Sequence, residues 1–301
     1  MAEPDDLYTL RAQFWMGHYN LCLDEAKAIA RRPMSPNLKL EREEFLQRAA
    51  MALGQFDKVV SAASAPGASA SIKALGCRAT YETSSDDEGA KQQAIDELKT
   101  LLADNEASPS VQLTASHVFL QAGMTREALQ CVHLGSTLEH ISVCLQIYLK
   151  MDRLDLAAEQ LSLLKQADED SVLAQLGSVY LAIATGSSTA ADAVHHLSSL
   201  SEQYGPSPLL LNLSATSHMV CGNFEKAEEA LDECRSEFTG EDVDTLVNTV
   251  VCYQHMGKGL AAISPILAKL KTSYPNHTFC QGLERVEGAF EREALKYKVA
   301  A

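Results

Sequence analysis

A turn-like residue, in most cases a glycine, recurs about every 34 residues along this chain. The clearest unit surrounds Gly222, which is followed two residues later by Phe224 and five residues later by Ala227. Equivalent anchors can be placed at Gly17, Gly54, Gly89, Gly123, Asp152, Gly186, Gly222 and Gly257. Ala occupies the fifth position after six of the eight anchors, where a small residue lets a second helix pack closely on a first. Periods of this length are typical of stacked helix-turn-helix repeats, because one helix pair cannot bury its apolar face alone.

The segments between the anchors have the apolar spacing of helices. Phe45, Ala49 and Ala52 follow an i, i+4, i+7 pattern, and few stretches alternate as strands do. The residue types and the period resemble tetratricopeptide repeats. We therefore predict an all-α fold, a tetratricopeptide-like helical-repeat solenoid of about eight helix pairs, in a single domain over residues 1–301. Apolar residues at helical spacing after the last repeat predict a capping helix at about residues 276–298.

Three local expectations follow from the repeat. Each anchor should end a helix with a positive φ, which suits glycine. Pro265 should make the last second helix begin late or kink, because proline lacks a backbone N–H. The spacing of only 29 residues between Gly123 and Asp152 predicts a clipped connection near Gly135 and Ser136.

The charge of the chain excludes several classes of protein. The formal charge is −15, and 46% of the residues are hydrophobic. This apolar content excludes disorder of the whole chain. The acidic balance argues against nucleic-acid binding and against direct adhesion to an anionic membrane. Residues 1–6 lack the pattern of a signal peptide, and the densest apolar run, residues 209–213, is far shorter than a membrane span, so we expect a cytoplasmic protein.

The cysteines and histidines do not form a strong metal-binding pattern. Eight cysteines are spread along the chain without a CxxC pair, which predicts reduced, mostly buried thiols. Cys131 with His133, and Cys252 with His255, are loosely ligand-like, but structural zinc generally needs two such pairs close together. We expect buried cysteines and surface histidines here, with metal binding as the alternative.

No enzyme motif is apparent. The sequence contains neither a phosphate-binding loop nor a nucleophile elbow, so we predict no catalytic residue, no cofactor and no metal. Acidic residues crowd segments 82–106 and 225–244, which we interpret as solvated outer helix faces, with a site for a cation or a basic peptide as the alternative. Trp15 is expected to pack in the core or at its end, or else to contact a partner.

Binding through the concave face therefore becomes the leading hypothesis. In such arrays the first helix of each pair lines this face, and its exposed positions here are mixed apolar and neutral polar. This composition favours a folded or hydrophobic partner segment, although Ile183 and Met219 are equally compatible with the core. The predicted partner-binding residues are Leu113, His117, Tyr180, Ile183, Leu209, Asn212, Thr216, Met219, Gln254 and His255.

Several segments, taken in order, resemble the coatomer epsilon-subunit family of the COPI vesicle coat. The combination is more specific than any one helical piece, and it extends over nearly the whole chain. The segments that carry the resemblance are residues 14–26, 146–157, 168–170, 207–212, 245–248 and 254–258.

The resemblance implies a non-catalytic adaptor within a heptameric coat on Golgi membranes. It implies that the helical array clasps the C-terminal domain of the alpha subunit, in retrograde Golgi-to-ER and intra-Golgi transport, and reaches the membrane only through other subunits. The alternatives are an enzyme and a free tetratricopeptide co-chaperone. A co-chaperone would cluster basic residues on its first helices, whereas Arg11, Arg48 and Lys150 lie on separate repeats.

Overall fold

We describe a computed structural model of the chain at residues 5–84, 87–105, 108–135, 137–238 and 242–297. Within these ranges the chain forms seventeen α-helices and one 3₁₀ turn, at Ile29–Arg31, and no strand. The helices are α1 (Tyr8–Trp15), α2 (Tyr19–Ala28), α3 (Pro36–Ala52), α4 (Phe56–Ala63), α5 (Ala70–Thr83), α6 (Glu88–Asp104), α7 (Pro109–Gln121), α8 (Thr125–Val132), α9 (Leu138–Lys150), α10 (Leu154–Ala167), α11 (Val172–Thr185), α12 (Ser187–Tyr204), α13 (Pro208–Val220), α14 (Phe224–Glu237), α15 (Val243–His255), α16 (Leu260–Ser273) and α17 (Thr278–Leu295).

Consecutive helices form eight pairs, α1/α2 to α15/α16, and α17 follows as the capping helix. The prediction of an all-α helical-repeat fold is thereby confirmed. The helices belong to two compact units, unit 1 (Met1–Ser207) with α1 to α12 and unit 2 (Pro208–Ala301) with α13 to α17. The single domain over residues 1–301 stays a prediction.

Seven of the eight anchors end a first helix with a positive φ, as predicted. Gly222 has a φ of 78°, and Asp152, at 57°, is the only residue other than glycine with a positive φ in the described ranges. The prediction was wrong for Gly89, which lies inside the first turn of α6. Asp87 starts that helix instead, because its carboxylate accepts a hydrogen bond from the Ala90 N–H at 3.0 Å.

The buried position in the first turn of a second helix is fixed by where that helix starts rather than by the anchor. In seven of the eight second helices, all except α6, the fourth residue is at most 3% exposed. These residues are Cys22, Val59, Ala128, Ala157, Ala190, Ala227 and Ile263. The predicted Ala191 and Ala262 are exposed, because α12 begins one residue after its anchor and α16 begins three residues after its anchor.

Pro265 was expected to make the last second helix begin late or kink, but it lies inside that helix, which starts only one residue later after its anchor than most second helices. Helix α16 starts at Leu260 and continues through Pro265 to Ser273. The short spacing between Gly123 and Asp152 arises because α8 contains only eight residues and a tight turn follows it, with a φ of 51° at Gly135. Ser136 lies outside the described residues.

The N-terminal part of unit 1 also contacts the C-terminal part of the same unit. Helix α1 contacts α11, and the buried Ser207 hydroxyl donates a hydrogen bond to the Met16 carbonyl at 2.6 Å. The hydroxyls of Tyr8 and Tyr204 lie 3.1 Å apart, and the His18 imidazole lies beside the backbone of Gly205. We call this contact the seam; it consists of Tyr8, Met16 and His18 on one side and of Tyr204, Gly205 and Ser207 on the other. Unit 1 therefore closes on itself.

A close approach of α4 to α5 requires a glycine. A Cβ added at Gly76 would overlap the Cβ of Ala63. We expect Gly76→Ala to lower the free energy of unfolding by about 1–2 kcal/mol, because the overlap outweighs a gain of about 1 kcal/mol in helix propensity. Gly282→Ala, with no atom within 4 Å, is the matched control and should gain about 0.5–1 kcal/mol. Urea denaturation measures both, and a stabilising Gly76→Ala would contradict the expectation.

Candidate partner-binding surface

Two chambers lie inside unit 1 and are lined mainly by the first helices of its pairs. The larger chamber has a volume of 590 Å³, and its walls come from α1, α3, α7, α9 and the residues that cap α7 and α9. The smaller chamber has a volume of 160 Å³ and adds side chains of α11 and one residue of α2. In unit 1 the first helices therefore line the inner face, as the repeat pattern predicts.

Four side chains line both chambers and so form the partition between them: Trp15, Arg48, Leu113 and Glu139. Arg48 Nη2 donates to Glu139 Oε1 at 2.6 Å, and Arg48 Nη1 donates to Glu139 Oε2 at 3.1 Å. Trp15 Nε1 also donates to Glu139 Oε1, at 2.9 Å. We call the Arg48–Glu139 ion pair the brace. It ties α3 to α9, and Trp15 adds α1.

Aromatic rings hold the arginine of the brace in place. The guanidinium carbon of Arg48 lies 4.4 Å from the ring centroid of Phe14 and 4.7 Å from that of Phe45. The two rings meet edge to face, with centroids 5.3 Å apart. Cation–π contacts of this kind are strongest where water is excluded. Here they add to the stabilisation of the Arg48 guanidinium that the ion pair provides. Trp15 lies at the edge of this cluster, in keeping with the expected core packing.

Both members of the brace keep their charges. Burial raises the pKa of Glu139, but the charge and hydrogen bonds of Arg48 and the hydrogen bond from Trp15 outweigh burial and hold that pKa below its ordinary value. Burial lowers the pKa of Arg48, and Glu139 outweighs this effect, so the pKa of Arg48 is raised. Removal of either partner would therefore leave an uncompensated charge inside unit 1.

Three of the four predicted residues in unit 1 meet at the smaller chamber. Leu113, His117 and Tyr180 line it, although Leu113 is only 6% exposed and offers little surface to a partner. Ile183 is half-buried on α11 and is not among the lining residues of either chamber. The partner-binding role of these residues stays a prediction.

His117 sits among the charged groups of the inner face. Its Nδ1 hydrogen-bonds the Leu113 carbonyl at 2.7 Å. Burial, together with the positive charges of Arg78 and Arg48, lowers the pKa of His117 to about 4, against the opposing effects of the Leu113 carbonyl and Glu139. The folded protein therefore holds this imidazole neutral, whereas the unfolded chain protonates it near pH 6.5.

This difference predicts a pH dependence of stability. As the pH falls from 6.5 towards 4, His117 becomes protonated in the unfolded state but stays neutral in the folded state. The free energy of unfolding therefore falls over this window, by up to about 3 kcal/mol. We expect His117→Gln to remove this part of the loss. Burial also lowers the pKa values of His18, His140 and His218. Subtracting the variant's plot of unfolding free energy against pH from that of the wild type cancels their contributions and leaves that of His117. A difference curve that stays flat from pH 7.5 to 4.5 would contradict the assignment.

In unit 2 the predicted residues differ in accessibility. Gln254 and His255 are exposed, and Leu209 and Thr216 are half-buried. Met219 packs against the core formed by Ala215, Ala227, Leu231 and Cys252. The ring of His255 stacks on Phe224, with centroids 5.1 Å apart and planes 5° from parallel. Their contact with a partner stays a prediction.

Asn212 lies at the centre of a buried polar network between α13 and α15. It is 7% exposed. Its Nδ2, which carries two protons, lies within hydrogen-bond distance of three acceptors: the Pro208 carbonyl at 2.8 Å, Asp242 Oδ2 at 3.0 Å and Thr245 Oγ1 at 2.7 Å. Its Oδ1 accepts a hydrogen bond from Asn248 Nδ2 at 2.8 Å. The amide therefore joins consecutive first helices and presents little surface to a partner.

The loosely ligand-like pairs have other contacts. His133 Nδ1 hydrogen-bonds the Gln130 carbonyl at 3.1 Å, and the Cys252 thiol donates to the Phe224 carbonyl at 3.3 Å. In the described part of the chain, no group of three or more His, Cys, Asp or Glu side chains is arranged to hold a metal ion. None of the helices in the same ranges combines the length and apolar character that a membrane span requires.

Solved structures share the fold at low sequence identity. The chain is similar to a chain of the APC/C hetero-tetramer Cut9-Hcn1, with a TM-score of 0.63 and 12% identity over 92% of this chain and 54% of that one. A tetratricopeptide repeat protein from Parabacteroides merdae gives a TM-score of 0.56 and 12% identity over 92% and 95%. These likenesses show a tetratricopeptide-type fold and nothing about function.

Curated proteins and a family model are more specific. The model described as "Coatomer epsilon subunit" matches residues 3–298. "Coatomer subunit epsilon-2" of Oryza sativa subsp. indica is 34% identical over 294 residues, which is 97% of both chains. "Coatomer subunit epsilon-1" of Arabidopsis thaliana is 34% identical over 302 residues, and the Dictyostelium discoideum "Coatomer subunit epsilon" is 29% identical over 295. The chain belongs to the coatomer epsilon subunit family.

Proposed function

We propose that this protein is a non-catalytic subunit of the COPI coatomer that binds and stabilises the C-terminal domain of the alpha subunit. The observation that carries the proposal is the match of the coatomer epsilon subunit family over residues 3–298. The protein would serve retrograde Golgi-to-ER and intra-Golgi transport. It would be cytoplasmic, and peripheral on Golgi membranes and COPI vesicles through the other coat subunits, in keeping with a net charge of −15.

The charges of the inner face in unit 1 support a folded partner rather than an acidic peptide tail. Arg11 is paired with Glu41, Arg48 with Glu139 and Arg78 with Glu82. A co-chaperone that grips a carboxylate tail needs cations whose charge is available to the ligand. These three arginines are already neutralised by glutamates, which weighs against the co-chaperone alternative.

Within each unit we assign the contact to first-helix residues that keep part of their side chains exposed. In unit 1 these are His117, Tyr180 and Ile183, and in unit 2 they are Leu209, Thr216, Gln254 and His255. Leu113, Asn212 and Met219 would act mainly by supporting the helices that carry these residues, because they pack inside their units.

Size-exclusion chromatography with light scattering tests the proposal. The chain is measured alone, with the C-terminal domain of the alpha subunit, and with the N-terminal domain of alpha as a control. We expect one 1:1 complex at micromolar concentration with the C-terminal domain and separate peaks with the control. Separate peaks with the C-terminal domain as well would rule out this partner.

A further inference from the structure

Each of the two chambers in unit 1 is too small to hold part of a folded partner as it stands. The larger chamber, at 590 Å³, has the size of a small-molecule pocket. This inference rests on the proposed function: if the inner face grips another protein of the coat, unit 1 must first change its shape.

The brace is the obstacle inside unit 1. It forms part of the partition between the two chambers, so a segment that occupied both would have to separate Arg48 from Glu139. Both side chains are about one-fifth exposed, at 20% and 18%. Water that entered during opening could therefore solvate the separated charges, which makes this ion pair breakable without loss of the fold.

The seam is the place where unit 1 can open. Tyr8 and Tyr204 are 196 residues apart in sequence, and Met16 and Ser207 are 191 apart, so opening the seam does not unstack consecutive helix pairs. The closed seam also contains a buried polar atom, His18 Nε2, that has no hydrogen-bond partner among the described residues. Such an atom favours the open state, in which water can reach it.

We propose that unit 1 is a pre-closed clamp, which opens at the seam and breaks the brace before the partner segment enters. The free protein is then mostly closed, and the fraction of molecules that are open at equilibrium sets the association rate. In the complex the partner occupies the space that the brace crosses, so the Arg48–Glu139 contact is absent there.

Locking the seam tests the clamp directly. Tyr8→Cys and Tyr204→Cys are introduced into a background with Cys131→Ser and Cys221→Ser, because these two native cysteines are the half-buried ones in the described residues. A reducible bis-maleimide then joins the new thiols, and the same variant capped with a mono-maleimide gives the reference rate. We expect the crosslink to slow association with the C-terminal domain of the alpha subunit at least fivefold, and reduction to restore the rate. A smaller effect would overturn the proposal, because the partner would then enter without opening.

Weakening the brace should have the opposite effect. Arg48→Gln with Glu139→Gln keeps the size and polarity of both side chains but removes their charges, so the open fraction should rise. We expect association to accelerate about tenfold with dissociation changed less than threefold. An acceleration below threefold, or slower association, would show instead that the brace holds the binding-competent shape.

The two proposals fail in distinguishable ways. If the unmodified chain does not bind the C-terminal domain of the alpha subunit, the proposed function fails. If that chain binds but the crosslink slows association less than fivefold, or the Gln pair accelerates it less than threefold, only the clamp fails.

Discussion

Replacing Glu139 by leucine should lower the free energy of unfolding by about 3 kcal/mol. The substitution leaves the Arg48 guanidinium without its carboxylate in a site that is 20% exposed, and it removes the acceptor of the Trp15 indole N–H. Breaking a buried ion pair on one side is costly because the remaining charge stays desolvated. Chemical denaturation of the purified variant, monitored by circular dichroism, measures the loss.

A double replacement should recover most of that loss. Arg48→Met together with Glu139→Leu removes both charges, and apolar side chains of similar size usually replace a buried pair within about 1 kcal/mol. The matched surface control is Asp24→Leu, which breaks the exposed pair with Lys27 and should cost less than about 1 kcal/mol. If Glu139→Leu is as mild as Asp24→Leu, the brace does not stabilise unit 1.

Asn212→Leu should have the largest effect of a single polar residue in unit 2. Leucine has a similar volume but cannot satisfy Asp242, Thr245 and Asn248, so we expect a loss of about 2–3 kcal/mol. Asn248→Leu is the matched control, because Asn248 is half-buried and its hydrogen bond to Asn212 joins two neutral amides; it should cost about 1 kcal/mol. Thermal and urea unfolding measure both losses. Equal losses in the two variants would mean that Asn212 is not the centre of the network.

The repeat was predictable because its signals are local. A position that takes a positive φ after a helix, as Gly222 does, favours glycine, and such a position recurs once per helix pair. The assignment failed at Gly89, where Asp87 caps the helix and an ordinary first-turn glycine coincides with the period. Ala191 and Ala262 missed the buried positions by one residue, because the turns before α12 and α16 differ in length from the others.

The brace and the seam could not be predicted in this way. Arg48 and Glu139 are 91 residues apart, and neither carries a local pattern that points to the other. Their contact depends on the accumulated rotation of four helix pairs, to which every turn contributes. Asn212 shows the same limit, because its position in the repeat suggested an exposed groove residue, whereas its partners Asp242, Thr245 and Asn248 all come from the next repeat.

Hydroxyl-radical footprinting of the chain, with and without the C-terminal domain of the alpha subunit, tests most directly whether the first helices hold the partner. We expect oxidation of Tyr180 in unit 1 and of His255 in unit 2 to fall severalfold in the complex. Phe290 and Tyr297 on and after α17, which are 73% and 81% exposed, serve as internal references and should not change. Protection confined to these references, with Tyr180 and His255 unchanged, would contradict binding through the first helices.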